Sequence, residues 1–365
     1  MFRREETKQV KVGPVTIGGG APISVQSMTN TETRDVGATV AQIRRLAAAG
    51  CELVRVAVPD QEAAEALGRI VALSPLPVVA DIHFDYRLAL RAIEQGVAKV
   101  RINPGNIGSR EKVREVVRAA SAAGIPLRIG VNAGSLAKRL KEAHGGATPE
   151  AMVASAAEQI ELLEELGFSD IVVSLKASDV PRTVEAYRLF AERFAYPLHL
   201  GITEAGLPPE GLVRSAVGLG ILLAEGLGDT VRVSLTGDPV AEVRAAYAIL
   251  GALHLRRRGP EVIACPTCGR CQVDLTALAE EVSRRVASFP EPVRIAVMGC
   301  AVNGPGEAAE ADLGVAGGKK EGLIFRGGKP VRKVPQEALV EALMEELELW
   351  RQEKKAQERQ GEVSE

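Results

Sequence analysis

From Pro22 to the end of HLRRRGP the chain keeps one beat, a short apolar strand, a turn and a helix, and it does so eight times in about 235 residues. The strands read as PISVQSM, ELVRVAV, PVVADIH, KVRINP, PLRIGVN, DIVVSLK, PLHLGIT and TVRVSLT. Between them run helical segments such as VAQIRRLAAAG and YRLALRAIEQG, several ending on the glycine that a left-handed C-cap favours. Strands that alternate with helices must lie parallel, and eight such units close most simply into a (β/α)8 TIM-like barrel. An open doubly wound sheet is the alternative, but no G-x-G-x-x-G turn follows the first strand to support it. In a barrel the functional groups belong at the carboxyl ends of the strands.

Other segments flank this beat. Residues 1–20 read as an N-terminal hairpin, with VKVGPVTIGGG alternating before a glycine turn. Past HLRRRGP the composition shifts, which sets a barrel domain of 1–258 and a smaller α+β domain of 259–350. The latter is expected to contain a helix through LTALAEEVSRRVASF, the strand VRIAVMGC, short strands around LGVAGG and EGLIFRGGKPVRKV, and a helix from Pro335 to Trp350. Residues 351–365 form a charged tail that is expected to fray, its charges a solvated face. A chain of 365 residues, 46% hydrophobic and 25% charged, has enough apolar material for one large domain and one small one. A net charge of -2 gives no global attraction for nucleic acid. MFRREETKQ lacks the apolar core of a secretory signal, and the greasiest run, Gly218 to Ala224, is too broken to span a bilayer. The expectation is a cytoplasmic protein with reduced thiols and no membrane or nucleic-acid partner.

Four of the five cysteines fall between Ala264 and Glu307, in ACPTCGRC and VMGCAVNGPGE. Cys265, Cys268 and Cys271 stand three apart and Cys300 lies on a distant strand end, a spacing that suggests a shared metal. A structural zinc site, a disulfide and thioredoxin-like redox chemistry compete with an iron-sulfur cluster. No export signal favours a disulfide, and no compact strand-helix context surrounds the C-x-x-C pair. Zinc would want a second pair or histidines in the second half, where only Cys300 is offered. Glu307, seven residues on, is a hard, exchangeable fourth ligand that iron tolerates better than a closed structural site does.

A second set of residues interrupts the barrel strands. Arg55, Arg101, Arg128, Lys176 and Arg232 all sit in otherwise apolar segments, where a charge is costly unless it meets a partner. Asp81 and Glu204 are the acids placed similarly, so the cations are in surplus and a small, multiply phosphorylated ligand would match them. Asn132, Thr203, Glu204, Ser234, Asp81 and His83 stand at strand ends, where a barrel keeps its chemistry. Cys51 reads as a buried apolar residue.

VQSMTNTETRDV, VRINPGNIG, RIGVNAGSL, ACPTCGRCQVDL and MGCAVNGPGEA together resemble the 4-hydroxy-3-methylbut-2-enyl diphosphate synthases, iron-sulfur enzymes of the non-mevalonate isoprenoid pathway, over nearly the whole chain. The resemblance implies a [4Fe-4S] cluster on Cys265, Cys268, Cys300 and Glu307. It implies a cyclic diphosphate substrate, 2-C-methyl-D-erythritol 2,4-cyclodiphosphate, gripped by Arg55, Arg101, Arg128, Lys176 and Arg232, with Asn132 beside them. Asn303 is expected to touch the substrate and Ser234 to join the binding set. Glu204, Asp81 and His83 are assigned to proton handling or orientation. Electrons would come singly from a ferredoxin or flavodoxin, and the assembly implied is a head-to-tail homodimer. Cys271 departs from the family pattern and is expected to be a bystander. Two other classes remain open: a barrel enzyme for another phosphorylated ligand with a structural zinc site, and a non-enzymatic iron-sulfur sensor.

Overall fold

The computed structural model describes residues 2–103, 107, 109–287, 289–300, 306 and 308–361. The chain divides into two compact units, one ending at Arg256 and the other beginning at Arg257.

The N-terminal unit is the barrel. Among the described residues, eight parallel strands pair in the order β8-β7-β6-β5-β4-β3-β10-β9. They are β3 (Ser24–Met28), β4 (Leu53–Ala57), β5 (Val78–Asp81), β6 (Lys99–Ile102), β7 (Leu127–Asn132), β8 (Ile171–Lys176), β9 (His199–Leu200) and β10 (Thr230–Val231). A parallel bridge between Val173 and Leu198 joins the two ends of that order and closes the ring. All eight strands expected from the sequence are present, but the last two are shorter than PLHLGIT and TVRVSLT suggest. There the ladder continues only as single bonds, Arg232 N–H to Leu200 O (3.0 Å) and Thr203 N–H to Ala177 O (3.2 Å).

Alternation decides what each strand buries. Val25, Val54, Val56, Val100, Ile102, Leu127, Ile129, Val173, Leu175, Leu200 and Val231 join the core between barrel and helices. Their alternate neighbours, among them Gln26, Arg55, Asp81, Lys99, Arg101, Arg128, Lys176 and His199, therefore face the barrel interior, in place of the bulky aliphatic layers usual there. Beyond the strand ends, Asp35, Asp60, Asp85, Asp179 and Asp238 each accept a backbone N–H of the helix that follows, so the turns of the mouth end in fixed N-caps. The expected hairpin is β1 (Val10–Val12) against β2 (Val15–Ile17), and its Val12 and Ile17 pack on Leu53 near the amino end of β4.

The C-terminal unit is a sheet in the order β11-β12-β13-β14-β15, covered by the helices Leu275–Val286 and Leu339–Gly361. β11 (Glu261–Ala264) and β12 (Arg294–Met298) are parallel, as are β12 and β13 (Leu313–Ala316); β14 (Glu321–Arg326) and β15 (Lys329–Pro335) return antiparallel. Two expectations change here. The strand β11 is absent from the sequence reading, because EVIA is short and half-exposed. The helix expected to stop at Trp350 runs on to Gly361, so most of the charged tail is helical. Its first charges are anchored: Arg351 and Lys355 pair with Glu291, and Glu353 pairs with Arg326.

Candidate functional site

In the barrel interior, β5, β6 and β7 bring Asp81, Arg101 and Arg128 into one row, because Asp81 pairs with Arg101 in register and Arg101 with Arg128. Asp81 is the hub. Its carboxylate accepts from Arg101 Nη1 at 3.1 Å, and Arg55 Nε stands 3.6 Å away. His83 Nε2 lies 3.3 Å from the same carboxylate, and Arg101 Nη1 lies 3.2 Å from both His83 ring nitrogens. Burial pushes the Asp81 carboxyl up, but the charge of Arg55, the His83 hydrogen bond and the charges of Arg101 and Arg128 outweigh it and hold it well below the usual carboxylate range. Asp81 therefore stays ionised, an orienting anion rather than a proton store.

The cations outnumber it. Arg128 is 2% exposed, and its Nε and Nη1 have no hydrogen-bond partner among the described residues. Burial, then the charges of Arg55 and Arg101, lower its pKa well below the ordinary arginine value. Lys176, in register with Asn132, is lowered well below the ordinary amine range by burial and by Arg128, Arg55, Arg232 and Arg101. Arg232 reaches Glu242 at 3.4 Å, while its Nε is unpartnered. Glu242 was missed in the sequence because it lies in the helix Pro239–Ala252, where an acid looks like a surface residue; it is 4% exposed and also accepts from Ser27 Oγ and Leu235 N–H. Lys99, two residues before Arg101 on β6, and the fully buried His199 on β9 were also missed, although the alternation K-V-R-I and L-H-L carried the signal.

Two glycines make room for these side chains. A Cβ on Gly130 would lie 2.5 Å from Arg101 Nε, and one on Gly201 would lie 2.6 Å from both Lys176 Nζ and Arg232 O. At the rim Asn132 and Ser234 are half-buried. Glu204 is exposed with a left-handed φ of 53°, and His83 is exposed although it touches the Asp81 hub. In the cluster of Arg55, Asp81, Arg101, Arg128, Lys176 and Arg232, Arg55 and Arg101 share Asp81 and Arg232 reaches Glu242, while among the described residues Arg128 and Lys176 have no carboxylate within ion-pair reach.

In the C-terminal unit, β11 ends at Ala264 opposite Val297 of β12, so Cys265 and Cys300 leave the carboxyl ends of adjacent parallel strands. Gly299 N–H points at Cys265 Sγ at 3.3 Å, the kind of donor that favours a thiolate ligand. Cys268 is exposed and Cys300 buried. Among the described residues no three His, Cys, Asp or Glu side chains are gathered closely enough to hold a metal. Glu307 and Asn303 lie outside the described residues. The donors still suit iron in kind: the soft thiols of Cys265, Cys268 and Cys300, with a backbone N–H aimed at the Cys265 sulfur. Cys271 lies against Gly299 with its thiol bonded to a backbone carbonyl. Its Sγ donates to Val273 O at 3.2 Å and fills the space where a Cβ on Gly299 would come within 2.5 Å. The turn does sit between a strand and a helix, contrary to the sequence reading, but that helix starts only at Leu275, past all three cysteines. Cys51 is buried, donates to Leu53 O, and is pushed up to about 12 by burial.

The family described as GcpE TIM-barrel domain matches residues 7–247, and the GcpE protein C-terminal domain matches residues 261–349. A Geobacter sulfurreducens protein named 4-hydroxy-3-methylbut-2-en-1-yl diphosphate synthase (flavodoxin) is 61% identical over 94% of this chain and 98% of its own. Proteins of the same name from Thermodesulfovibrio yellowstonii and Caldanaerobacter subterraneus are each 57% identical, over 95% and 94% of this chain and 99% and 97% of theirs. No helix among the described residues is long and apolar enough to cross a membrane.

Proposed function

The chain belongs to the GcpE family, and from that premise we propose that it opens 2-C-methyl-D-erythritol 2,4-cyclodiphosphate reductively to 4-hydroxy-3-methylbut-2-enyl diphosphate, releasing water. The observation that carries this reading is the cationic cluster in the barrel: Arg55 and Arg101 share Asp81, Arg232 reaches Glu242, and Arg128 and Lys176 have no carboxylate within ion-pair reach among the described residues, so the set calls for an anion. Guanidinium forks match phosphate oxygens in pairs, and Lys176 adds a compact charge beside them. Asp81 holds the forks of Arg55 and Arg101 in place, so the diphosphate meets donors already oriented. Asn132, Ser234 and Asn303 supply hydrogen bonds to the sugar-derived ring. Glu204 and His83, exposed at the rim, are the groups that can exchange protons with solvent and with a leaving hydroxyl.

A [4Fe-4S] cluster held by Cys265, Cys268, Cys300 and Glu307 would supply one-electron transfer and a Lewis-acidic iron. Around it, Gly299 N–H orients the Cys265 sulfur, and the Cys271 thiol is engaged with Val273 O. The electron donor in this reading is a flavodoxin or ferredoxin, the former in the printed names of the relatives. The protein works in the cytoplasm as a head-to-tail homodimer.

The test is turnover under strict anaerobiosis. Purified chain, the cyclic diphosphate and a one-electron reductant should yield the linear allylic diphosphate, two electrons consumed per molecule. A colourless protein with stoichiometric zinc, or an intact cluster with no product, would overturn the proposal.

A further inference from the structure

Below the mouth, the barrel interior stays polar where it should be filled with aliphatic side chains. Ser24, Lys99, His199 and Thr230 are the first residues of β3, β6, β9 and β10, and so lie toward the amino ends of the strands, away from the mouth. Each is at most 1% exposed, and Gln26 is buried with them. Among the described residues, Ser24 Oγ, Gln26 Nε2 and Oε1, Lys99 Nζ, both His199 ring nitrogens and Thr230 Oγ1 have no hydrogen-bond partner, and Arg128 Nε and Nη1 join them. Donors dominate this list. A buried ammonium and guanidinium left without partners cost several kcal/mol each, so the fold would shed them unless something compensates.

Charge balance points the same way. Among the described residues, the carboxylates within ion-pair reach of Arg55, Lys99, Arg101, Arg128, Lys176 and Arg232 are those of Asp81 and Glu242. A cyclic diphosphate at the mouth brings two negative charges, a step that rests on the proposed function, and still leaves cations uncompensated. Left alone, Lys99 would be driven well below the ordinary amine range by burial, Arg128 and Arg55.

We propose that the lower half of the barrel is a binding site for one small monovalent anion of chloride's class, held by Lys99 Nζ, Arg128 and His199, with Ser24 and Thr230 as hydroxyl donors. This site lies toward the amino ends of the strands and shares Arg128 with the substrate receptor above it. The bound anion keeps Lys99 protonated and fixes Arg128 from below, so the guanidinium presents itself to the mouth already positioned.

Bromide is the probe. Crystals of the full-length holoprotein soaked anaerobically in bromide should show one anomalous peak in contact with Lys99 Nζ inside the barrel, with or without substrate at the mouth. In solution, replacing gluconate by chloride at constant ionic strength should raise Tm by roughly 5 °C at saturation. Lys99→Met should abolish both the peak and the chloride response while folding in gluconate as well as the parent chain. Should that variant fail to fold, Lys99→Gln and the bromide map of the parent carry the test. Water-like density at Lys99 without anomalous signal, a peak at the mouth or the surface only, or a Tm indifferent to the anion would overturn the proposal. Because no arm measures turnover, its failure is distinguishable from failure of the proposed activity.

Discussion

Arg128 is the residue at which the proposed function and stability pull against each other. Its guanidinium is buried with two nitrogens unpartnered, so Arg128→Met should leave the empty protein as stable in chloride-free buffer, or more stable by about 1–3 kcal/mol. The same change should lower kcat/KM at least roughly 100-fold, since a charged bond to phosphate is lost in a desolvated site. Melting curves and turnover measured side by side check this; a less stable variant with normal kinetics would make Arg128 merely structural. Asp81 gives a pH signature. Its folded pKa is depressed, so its contribution to stability is complete above the unfolded value of about 4 and is lost progressively as pH falls from there toward the depressed folded value. Denaturant titrations from pH 7 to pH 3 should show Asp81→Asn destabilised at neutral pH but with a flatter acid limb, whereas parallel curves would contradict the hub role. At the cluster, Glu307→Ala should retain an iron-sulfur spectrum on three cysteines while turnover collapses. Cys271→Ala should keep both, because that thiol is committed to Val273 O.

The elements were the most legible part of the chain, because β/α alternation is written as two clear periods and eight repeats leave few ways to close. What escaped was whatever depended on which neighbour a side chain meets. EVIA carries too few residues to announce β11, yet that strand is what sets Cys265 beside Gly299. Glu242 has the local pattern of a surface acid, and only the packing of its helix on β3 turns it toward Arg232. Lys99 stands at a strand start, where a cation reads as a boundary rather than an interior group. The charged residues after Trp350 lack apolar periodicity, and their helix is held by ion pairs that no local rule supplies. The strand glycines give this scale its own experiment. Gly201→Ala puts a Cβ within 2.6 Å of Lys176 Nζ and of the Arg232 carbonyl, so it should cost about 1–3 kcal/mol and raise KM by displacing Lys176. An unchanged KM with reduced Tm would show that the lysine does not depend on that gap.

At the scale of the whole molecule, one unit holds the buried cations and the other four of the five cysteines, and in the proposed function neither supplies the complete chemistry alone. The proposed head-to-tail homodimer makes each active site draw on two chains. Mixing inactive Arg128→Met with inactive Glu307→Ala and letting subunits exchange should then restore up to about a quarter of parental activity, the fraction expected if hybrids carry one intact site. No recovery despite demonstrated exchange would place all the residues of a site on one chain. The most direct measurement remains the anaerobic reaction itself, followed by phosphorus NMR and by the spectrum of the metal centre. The expected result is a coloured [4Fe-4S] protein whose spectrum changes when the cyclic diphosphate is added, and whose reduction by flavodoxin converts that diphosphate to the linear allylic one. An intact cluster that ignores the diphosphate and forms no product, or zinc in place of iron, would contradict it.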